Sequence, residues 1–283
     1  MELRLEAPAG LMAIPDDDAD GSGTGVLVLA GSSGRVEEER VRLLARHGVT
    51  AMSIQWFGGP GQPPGICEVP LETFSTALDT LAWRCDRLAV IGTSKGAEAA
   101  LLLAAHDPRI DLVAAFAPTH VVWANVGPGV DGRSHPYRSS WTLDGTPLPF
   151  VPYDDAWTSD EDPPAFRDLY LASLERSPAE AHAAAVPVGR IQGEVLLVAG
   201  QDDQVWPSEL FALEIARARE QAGRSATVLT HAFAGHRIVL PGETPPSGGM
   251  SMQRGGTPEA DAALGSAAWQ ELTRSLALRA TVF

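Results

Sequence analysis

The stretch V-I-G-T-S-K-G-A at residues 90–97 contains a G-x-S-x-G motif with Ser94 at its centre. The apolar residues 88–91 before it predict a buried strand, and the alanine- and leucine-rich residues 97–105 after it predict a buried helix. A serine between two glycines at a strand-to-helix turn is typical of an exposed nucleophile. The alternative is a tight packing turn whose serine only caps the helix.

Strand and helix patterns alternate along most of the chain. A leading strand or hairpin is expected before an acidic, glycine-rich link that ends near residue 24. Further strands are predicted at 26–30, 49–55, 88–91, 112–116, 195–199 and 227–230, and helices at 37–47, 71–83, 97–105, before 222 and at 258–278. This alternation predicts one domain over residues 1–283 with a mostly parallel central sheet and helices on both faces.

Residues 119–190 interrupt the alternation. They are rich in Gly, Pro, Trp and Tyr, then become acidic from 154 to 162, with helical stretches near 166–174 and 178–185. A structureless loop of this length is uncommon inside a compact domain, so we expect a cap insertion over the carboxyl edge of the sheet. The acidic run has no histidine at ligand spacing, and we expect neither a metal site nor a cofactor.

Composition excludes several classes of partner. The 283 residues carry a formal net charge of -15, which argues against nucleic acid and anionic membranes as partners. A polyanionic substrate would likewise need a local basic patch. The amino terminus lacks the features of a signal peptide, so a cytoplasmic location is expected. Cys67 and Cys85 are too few for a disulfide framework and are expected to be free thiols.

An acid and a histidine follow later strands, in the order Ser94, Asp203, His236. A serine hydroxyl is a weak nucleophile unless a neutral imidazole takes its proton and a carboxylate orients that imidazole. Each of the three residues comes just after a predicted parallel strand, where such sheets place their ligands. The order nucleophile, acid, histidine is that of the α/β-hydrolase fold, which is therefore the predicted fold class.

Each partner has a competitor in the sequence. Asp202 adjoins Asp203, but we expect it to cap the following helix. His231 lies at a strand end, whereas His236 lies in a loop from which it can reach the serine. His120 is the best candidate outside this region because it follows another strand end.

Groups that bind the substrate are also suggested. The amide of Lys95 is expected to point toward a developing oxyanion, and its side chain is expected to face solvent. The Gly/Ser turn with Ser32 and Ser33 can present free amides, although it is equally an ordinary strand-to-helix connection. Five aromatic residues are candidates for an apolar acyl pocket or, alternatively, for packing: Trp56, Trp123, Trp141, Tyr153 and Trp157.

Four segments carry a resemblance to a known family: G-S-S-G-R (31–35), I-G-T-S-K-G-A-E-A-A-L (91–101), G-Q-D-D-Q-V-W-P-S (200–208) and A-G-H-R-I (234–238). They resemble the C-terminal catalytic domain of acyl-CoA thioesterases and bile acid-CoA:amino acid N-acyltransferases. The resemblance implies Ser94 as nucleophile, Asp203 and His236 as its partners, and an oxyanion hole formed by the amides of Lys95 and the Ser32-Ser33 turn. Some acyltransferases of that family have a cysteine at the nucleophile position, so a serine favours hydrolysis.

The leading interpretation is a serine hydrolase that cleaves a small-molecule acyl thioester or ester through an acyl-enzyme. One alternative keeps the same residues but lets an amine or alcohol replace water. Another uses His236 as the base of an elimination or cyclisation on a specialised metabolite. A third is a non-catalytic binding protein that uses the pocket under the cap.

Overall fold

The computed structural model describes residues 1–15, 23–245 and 248–279. Its strands are β1 (Glu2–Glu6), β2 (Ala9–Ala13), β3 (Thr24–Leu29), β4 (Thr50–Ile54), β5 (Val69–Pro70), β6 (Arg87–Thr93), β7 (Ile110–Phe116), β8 (Trp141–Leu143), β9 (Thr146–Pro147), β10 (Glu194–Gly200) and β11 (Thr227–His231). Its helices are α1 (Glu38–Arg46), α2 (Glu72–Ala82), α3 (Lys95–His106), α4 (Arg167–Arg176), α5 (Pro178–Ala183), α6 (Ser208–Gln221) and α7 (Pro258–Ser275). Most of the acidic link expected before residue 24 lies outside the described residues.

Eight strands form the central sheet in the order β1-β2-β4-β3-β6-β7-β10-β11. The six strands from β4 to β11 pair in parallel, whereas the amino-terminal hairpin pairs antiparallel within itself and with β4. The prediction of a mostly parallel sheet is therefore confirmed. Because the parallel strands run the same way, the loops after β3, β6, β10 and β11 meet at one edge.

Helices cover both faces of this sheet. The side chains of α2, α3 and α6 pack on one face around residues such as Leu27 and Val90, and those of α1 and α7 pack on the other around Val26 and Ile91. Successive strand residues point to opposite faces, so strands buried on both sides consist of nearly continuous apolar residues. This explains why the strands beside the central motif contain so few polar positions.

Residues 119–190, called the insert below, contain β8, β9, α4 and α5, and β8 also pairs with β5, which precedes the insert, so that β5, β8 and β9 form a small sheet. Trp123, Trp141 and Val151 bury their side chains in the same core as α2 and α3. The Arg167 side chain donates to the carbonyl of Asp203 at 3.0 Å, so the insert also contacts the loop after β10. None of the helices in the described residues is long and apolar enough to cross a membrane.

Candidate active site

Ser94 occupies a strained turn between β6 and α3. Its backbone has φ 57° and ψ -121°, a conformation that L-residues rarely adopt. A Cβ at Gly92 would lie 2.1 Å from the carbonyl oxygen of Gly96, and one at Gly96 would lie 2.3 Å from that of Ala30. Neither glycine leaves room for a larger residue. The G-x-S-x-G spacing is thus required by the close approach of three backbone segments.

His236 and Asp203 form a hydrogen-bonded pair, with 2.8 Å between His236 Nδ1 and Asp203 Oδ2. Asp203 is fully buried, and its second oxygen accepts the amides of Val205 at 2.9 Å and Trp206 at 3.3 Å. These bonds fix the carboxylate, which in turn orients the imidazole. The Nε2 atom of His236 is then left to act on another group.

Tight contacts between two loops hold this pair in place. A Cβ at Gly200, which ends β10, would lie 2.2 Å from the carbonyl oxygen of Ala234, so the loops after β10 and β11 lie directly against each other. The amide of His236 donates to the carbonyl of Arg254 at 2.9 Å, and the amide of Gly235 donates to Asp261 at 2.7 Å. His236 is therefore positioned by a chain segment that follows it.

Ser94 and His236 line one open cavity of about 520 Å³. Its walls come from the turn after β3, the start of α1, and residues 241–245 and 248–257, which we call the return loop. The lining residues include Ser32, Ser33, Val126, Val205, Glu243, Thr244, Pro245, Met250, Met252 and Arg254. The sequence interpretation missed the return loop, although its place directly after His236 and its two methionines were available as signals.

Three backbone amides lie in or beside this cavity with no hydrogen-bond acceptor among the described residues. They are the amides of Ser32 and Ser33, in the turn after β3, and the amide of Lys95, directly after Ser94. A Cβ at Gly31 would lie 3.2 Å from Ser94 Cβ, so this turn runs beside the serine. Unpaired amides on both sides of a serine suit a developing negative charge.

The side chain of Lys95 is buried, contrary to the expectation that it faces solvent. Only 2% of the residue is exposed, and Nζ donates to Glu98 Oε2 at 2.6 Å and to Ser140 Oγ at 2.8 Å. Glu98 Oε1 in turn accepts the indole N–H of Trp141 at 2.7 Å and the amide of Trp123 at 3.1 Å. This network joins the start of α3 to the insert, which is why a lysine can be buried there.

Burial dominates the electrostatics of this ion pair. It lowers the pKa of Lys95 and raises the pKa of Glu98, because removal from water disfavours both charges. The hydrogen bonds from Lys95, Trp141 and Trp123 oppose the effect of burial on the Glu98 pKa. The sequence offered one signal for this pair, a charge three residues after Lys95 in an otherwise apolar helix.

None of the five aromatic candidates is among the residues that line the described cavity. Trp56, Trp123 and Trp141 are fully buried in the core, where the rings of Trp56 and Trp141 lie 5.4 Å apart. Tyr153 stacks on Trp123 at 6.0 Å, and Trp157 packs against Phe166 at 5.9 Å. In this structure Trp123, Trp141 and Tyr153 pack into the same core as Trp56, whereas Trp157 contacts a ring within the insert.

The competing residues Asp202, His231 and His120 make contacts of other kinds. Asp202 does not cap α6. It accepts the amide of Gly256 at 2.8 Å and the side chain of Gln204 at 2.8 Å, so it fastens the return loop. His231 stays at the end of β11, where it accepts the amide of Phe233 at 3.2 Å. His120 is half-buried beside Phe211 with a buried, unpaired Nδ1, and its partial burial lowers its pKa to about 4.

Cys67 and Cys85 are both buried, and neither forms a disulfide bond. In the residues that the structure describes, no group of three or more His, Cys, Asp and Glu side chains is arranged to hold a metal ion.

Solved structures with the same architecture are α/β-hydrolases. A putative dienelactone hydrolase from Klebsiella pneumoniae superposes with a TM-score of 0.57 at 16% identity, covering 98% of this chain and 97% of that chain. Acylaminoacyl peptidase from Pyrococcus horikoshii superposes with a TM-score of 0.58 at 9% identity, covering 97% of this chain and 40% of that chain. Identities this low show the fold alone, and they confirm the predicted fold class.

The family is shown by a sequence model described as BAAT / Acyl-CoA thioester hydrolase C terminal, which matches residues 69–277. The chain belongs to this family, as its four motif segments predicted. Human acyl-coenzyme A thioesterase 6 is 28% identical, with 93% of this chain and 61% of that protein covered. Mouse acyl-coenzyme A amino acid N-acyltransferase 1 is 25% identical, with 88% and 58% covered. The chain spans about three-fifths of the length of these curated relatives.

Proposed function

We propose that the protein is a serine hydrolase that cleaves an acyl thioester or ester. Ser94 Oγ attacks the carbonyl carbon while His236 Nε2 takes the hydroxyl proton, and the imidazolium then gives that proton to the departing thiol or alcohol. Water, deprotonated by His236, attacks the acyl-serine ester, which releases the acid and restores Ser94. Asp203 holds the imidazole in the required tautomer and stabilises its charged form.

The observation that carries this proposal is the His236–Asp203 hydrogen bond of 2.8 Å, in the same cavity as a serine held in a strained turn. A histidine whose Nδ1 is engaged by a buried carboxylate is prepared to act as a base through Nε2. The unpaired amides of Lys95 and of the Ser32-Ser33 turn support the proposal, because they can bind the oxyanion of the tetrahedral intermediate.

Acyl transfer is the second candidate, and the similarity to a mouse N-acyltransferase favours it specifically. The same acyl-serine would form, and an amine would attack it in place of water after losing a proton to His236. The chemistry of the first half-reaction is identical, so the two candidates differ only in the acceptor.

Labelling with a fluorophosphonate tests the proposed nucleophile. We expect the wild-type protein to gain one probe mass on the peptide containing Ser94, and Ser94→Ala to gain none while it keeps its fold by circular dichroism. Wild-type protein that has not met the probe is then incubated with a labelled acyl thioester, with and without amine acceptors, to separate hydrolysis from transfer. Absence of labelling in active wild-type protein would contradict the serine mechanism.

A further inference from the structure

A buried ion pair beside Ser94 has no part in the proposed chemistry. Arg40, on α1, and Glu243, in the return loop, both line the cavity, and each side chain is only 9% exposed. Arg40 Nε donates to Glu243 Oε1 at 2.6 Å, and Arg40 Nη2 donates to Glu243 Oε2 at 2.8 Å. Desolvation offsets most of the attraction within a buried pair, so its net contribution to stability is small. The pair therefore matters chiefly for the geometry that its two bonds fix.

The guanidinium group of Arg40 also contacts the surroundings of Ser94. Its Nη1 donates to Thr93 Oγ1 at 3.3 Å, and Thr93 directly precedes the serine. Its central carbon lies 5.1 Å from the centre of the Phe116 ring, within the range of a cation–π interaction. The carbonyl of Phe116 accepts the amide of Ser94 at 2.9 Å. Arg40 thus touches two residues that adjoin the nucleophile.

Glu243 fixes the start of the return loop. In addition to Arg40, its Oε2 accepts the amide of Leu240 at 3.0 Å, and its own amide donates to the carbonyl of Leu240 at 3.0 Å. Thr244 follows, and its amide donates to the carboxylate of Glu39 on α1 at 3.0 Å. Two side chains of α1 therefore hold the point at which the chain enters the return loop.

Glu243 is held in its ionised form. Burial by itself raises the pKa of its carboxyl group, but the charge of Arg40 and the hydrogen bonds from Arg40 and Leu240 keep that pKa below its ordinary value. The ion pair accordingly persists at neutral pH, and so do its two directed hydrogen bonds.

The turn at Ser94 and the return loop differ in how firmly the rest of the protein holds them. The turn is fixed by the close backbone contacts of Gly92 and Gly96. Residues 248–257 of the return loop are all exposed or half-buried, so packing contributes little to their position. Because Arg40 contacts both segments, it can transfer the fixed position of the turn to the loop.

We propose that Arg40 is a positioning residue that sets the distance between the return loop and Ser94, and so determines which acyl chains the cavity accepts. The inference rests on the proposed hydrolase function, because it takes Ser94 as the nucleophile. A guanidinium group suits this task, since its planar fork binds a carboxylate with two bonds and leaves a third nitrogen for Thr93. A lysine has its donors on one nitrogen and cannot make the same set of contacts.

Kinetics of Arg40→Lys with two thioesters test the inference. The substrates are the acetyl and octanoyl thioesters of N-acetylcysteamine, because a short acyl chain contacts less of the cavity wall than a long one. We expect the KM of the octanoyl thioester to rise about tenfold, and its kcat and both constants of the acetyl thioester to stay within about threefold. A merely structural role would lower the midpoint of unfolding without separating the two substrates.

A second variant keeps the test valid if Arg40→Lys folds poorly. Arg40→Met combined with Glu243→Leu replaces the buried pair by apolar side chains, which preserves stability but removes the directed bonds. We expect this double variant to show the same selective rise in the KM of the octanoyl thioester.

Hydrogen exchange measures the position of the loop without any substrate. The amide of Thr244 is bonded to Glu39, and the amide of Gln253 donates to the carbonyl of Pro164 at 2.9 Å. We expect both amides to exchange about tenfold faster in the Arg40 variants. The amide of Ala97, in α3 beside the nucleophile, should exchange at the wild-type rate.

Arg109→Lys is the matched control, because Arg109 binds Asp107 through two nitrogens at 2.9 and 2.6 Å outside the cavity lining. It should alter neither the kinetics nor the exchange. Equal changes for the two thioesters in the folded Arg40 variants, or unchanged exchange of the Thr244 and Gln253 amides, would overturn the inference. Failure of the wild-type protein to cleave either thioester would instead count against the proposed function, so the two failures are distinguishable.

Discussion

The insert and the return loop both adjoin the edge of the sheet where Ser94 lies, but they use their side chains differently. The insert directs its polar groups and rings inward, onto Glu98 and into the core beside α3. Of its described residues, Val126 lines the cavity. The return loop has little apolar core of its own, yet its residues 243–245, 249, 250, 252 and 254 form one wall of the cavity.

This difference indicates separate tasks for the two segments, one in stability and one in substrate selectivity. The sequence left the aromatic residues of the insert open between an acyl pocket and packing, and the buried contacts of the insert indicate a role in stability. The return loop is held by side chains that reach it from elsewhere, such as Asp202 on the amide of Gly256. A wall supported in this way can vary in its cavity-facing residues without loss of core packing. We therefore expect stability to depend on the insert and selectivity on the return loop.

The largest expected effect concerns the two neighbouring aspartates, because one orients His236 and the other fastens the return loop. Asp203→Asn should reduce kcat about 10⁴-fold, since an amide in this position favours the wrong imidazole tautomer. Asp202→Asn should cost less than about tenfold in kcat, because it weakens only bonds to Gly256 and Gln204. Steady-state kinetics on both variants make the comparison. The reverse ranking would mean that Asp202 is the catalytic acid.

The second effect tests the attachment of the insert. Lys95→Met should lower the free energy of unfolding by about 3–5 kcal/mol, because it leaves Glu98 buried without its cation. Lys95→Met combined with Glu98→Leu should recover part of this loss. Denaturant titration measures both variants. Arg217→Met, which breaks an exposed ion pair with Glu214 at the same spacing, is the control and should cost at most about 1 kcal/mol. Equal losses from Lys95→Met and Arg217→Met would contradict the proposed role of the insert.

The third effect is a pH dependence of the free energy of unfolding, and it arises from His120 in the insert. Burial lowers the pKa of His120 from its ordinary 6.5 to about 4 in the folded protein. Between these values the unfolded chain binds a proton that the folded chain does not, so stability present above pH 6.5 is lost as the pH falls toward 4. Over this pH range the free energy of unfolding falls by about 3 kcal/mol.

His120→Gln should remove this part of the acid sensitivity, and His182→Gln, at an exposed position of the insert, should retain it. Denaturant titrations at several pH values between 7 and 4 provide the measurement. If the free energy of unfolding of His120→Gln falls with pH as steeply as that of the wild-type protein, the acid sensitivity arises elsewhere.

The smallest expected effect concerns selectivity at the return loop. Met252 lines the cavity, so Met252→Ala should change the ratio of kcat/KM between long and short acyl thioesters about three- to tenfold, with a stability change below about 1 kcal/mol. Trp157→Ala, in the insert and outside the described lining, should leave this ratio unchanged. A larger change in selectivity from Trp157→Ala would reassign the substrate pocket to the insert.

Local patterns were sufficient to predict the sheet and the turns that carry Ser94, Asp203 and His236. Buried parallel strands leave continuous apolar runs, and the sharp turn at Ser94 requires two glycines at fixed spacing. The choice of Asp203 over Asp202 followed from its place in the turn, and the structure shows different hydrogen-bond partners for the two carboxylates. Such features depend on residues close together in the chain.

The cavity wall and the buried ion pair depend on contacts between distant segments, which no local pattern specifies. Lys95 lies beside Ser140 only because the insert folds back onto α3, and Arg254 reaches the cavity only because its carbonyl accepts the amide of His236. The aromatic residues of the insert have the composition expected of either a pocket or a core. Their position in the core depends on the path of the insert, which the sequence pattern did not predict.

The most direct test of the central claim is a search for the acyl-enzyme itself. Wild-type protein is mixed with an acyl thioester, quenched in acid within milliseconds to seconds, and analysed by intact mass and peptide mapping. We predict one acyl group, attached to the peptide that contains Ser94, which decays as free acid forms and is absent from Ser94→Ala. Release of acid by the wild-type protein without any acyl adduct, matched by an equal rate in Ser94→Ala, would contradict the claim that Ser94 is the nucleophile.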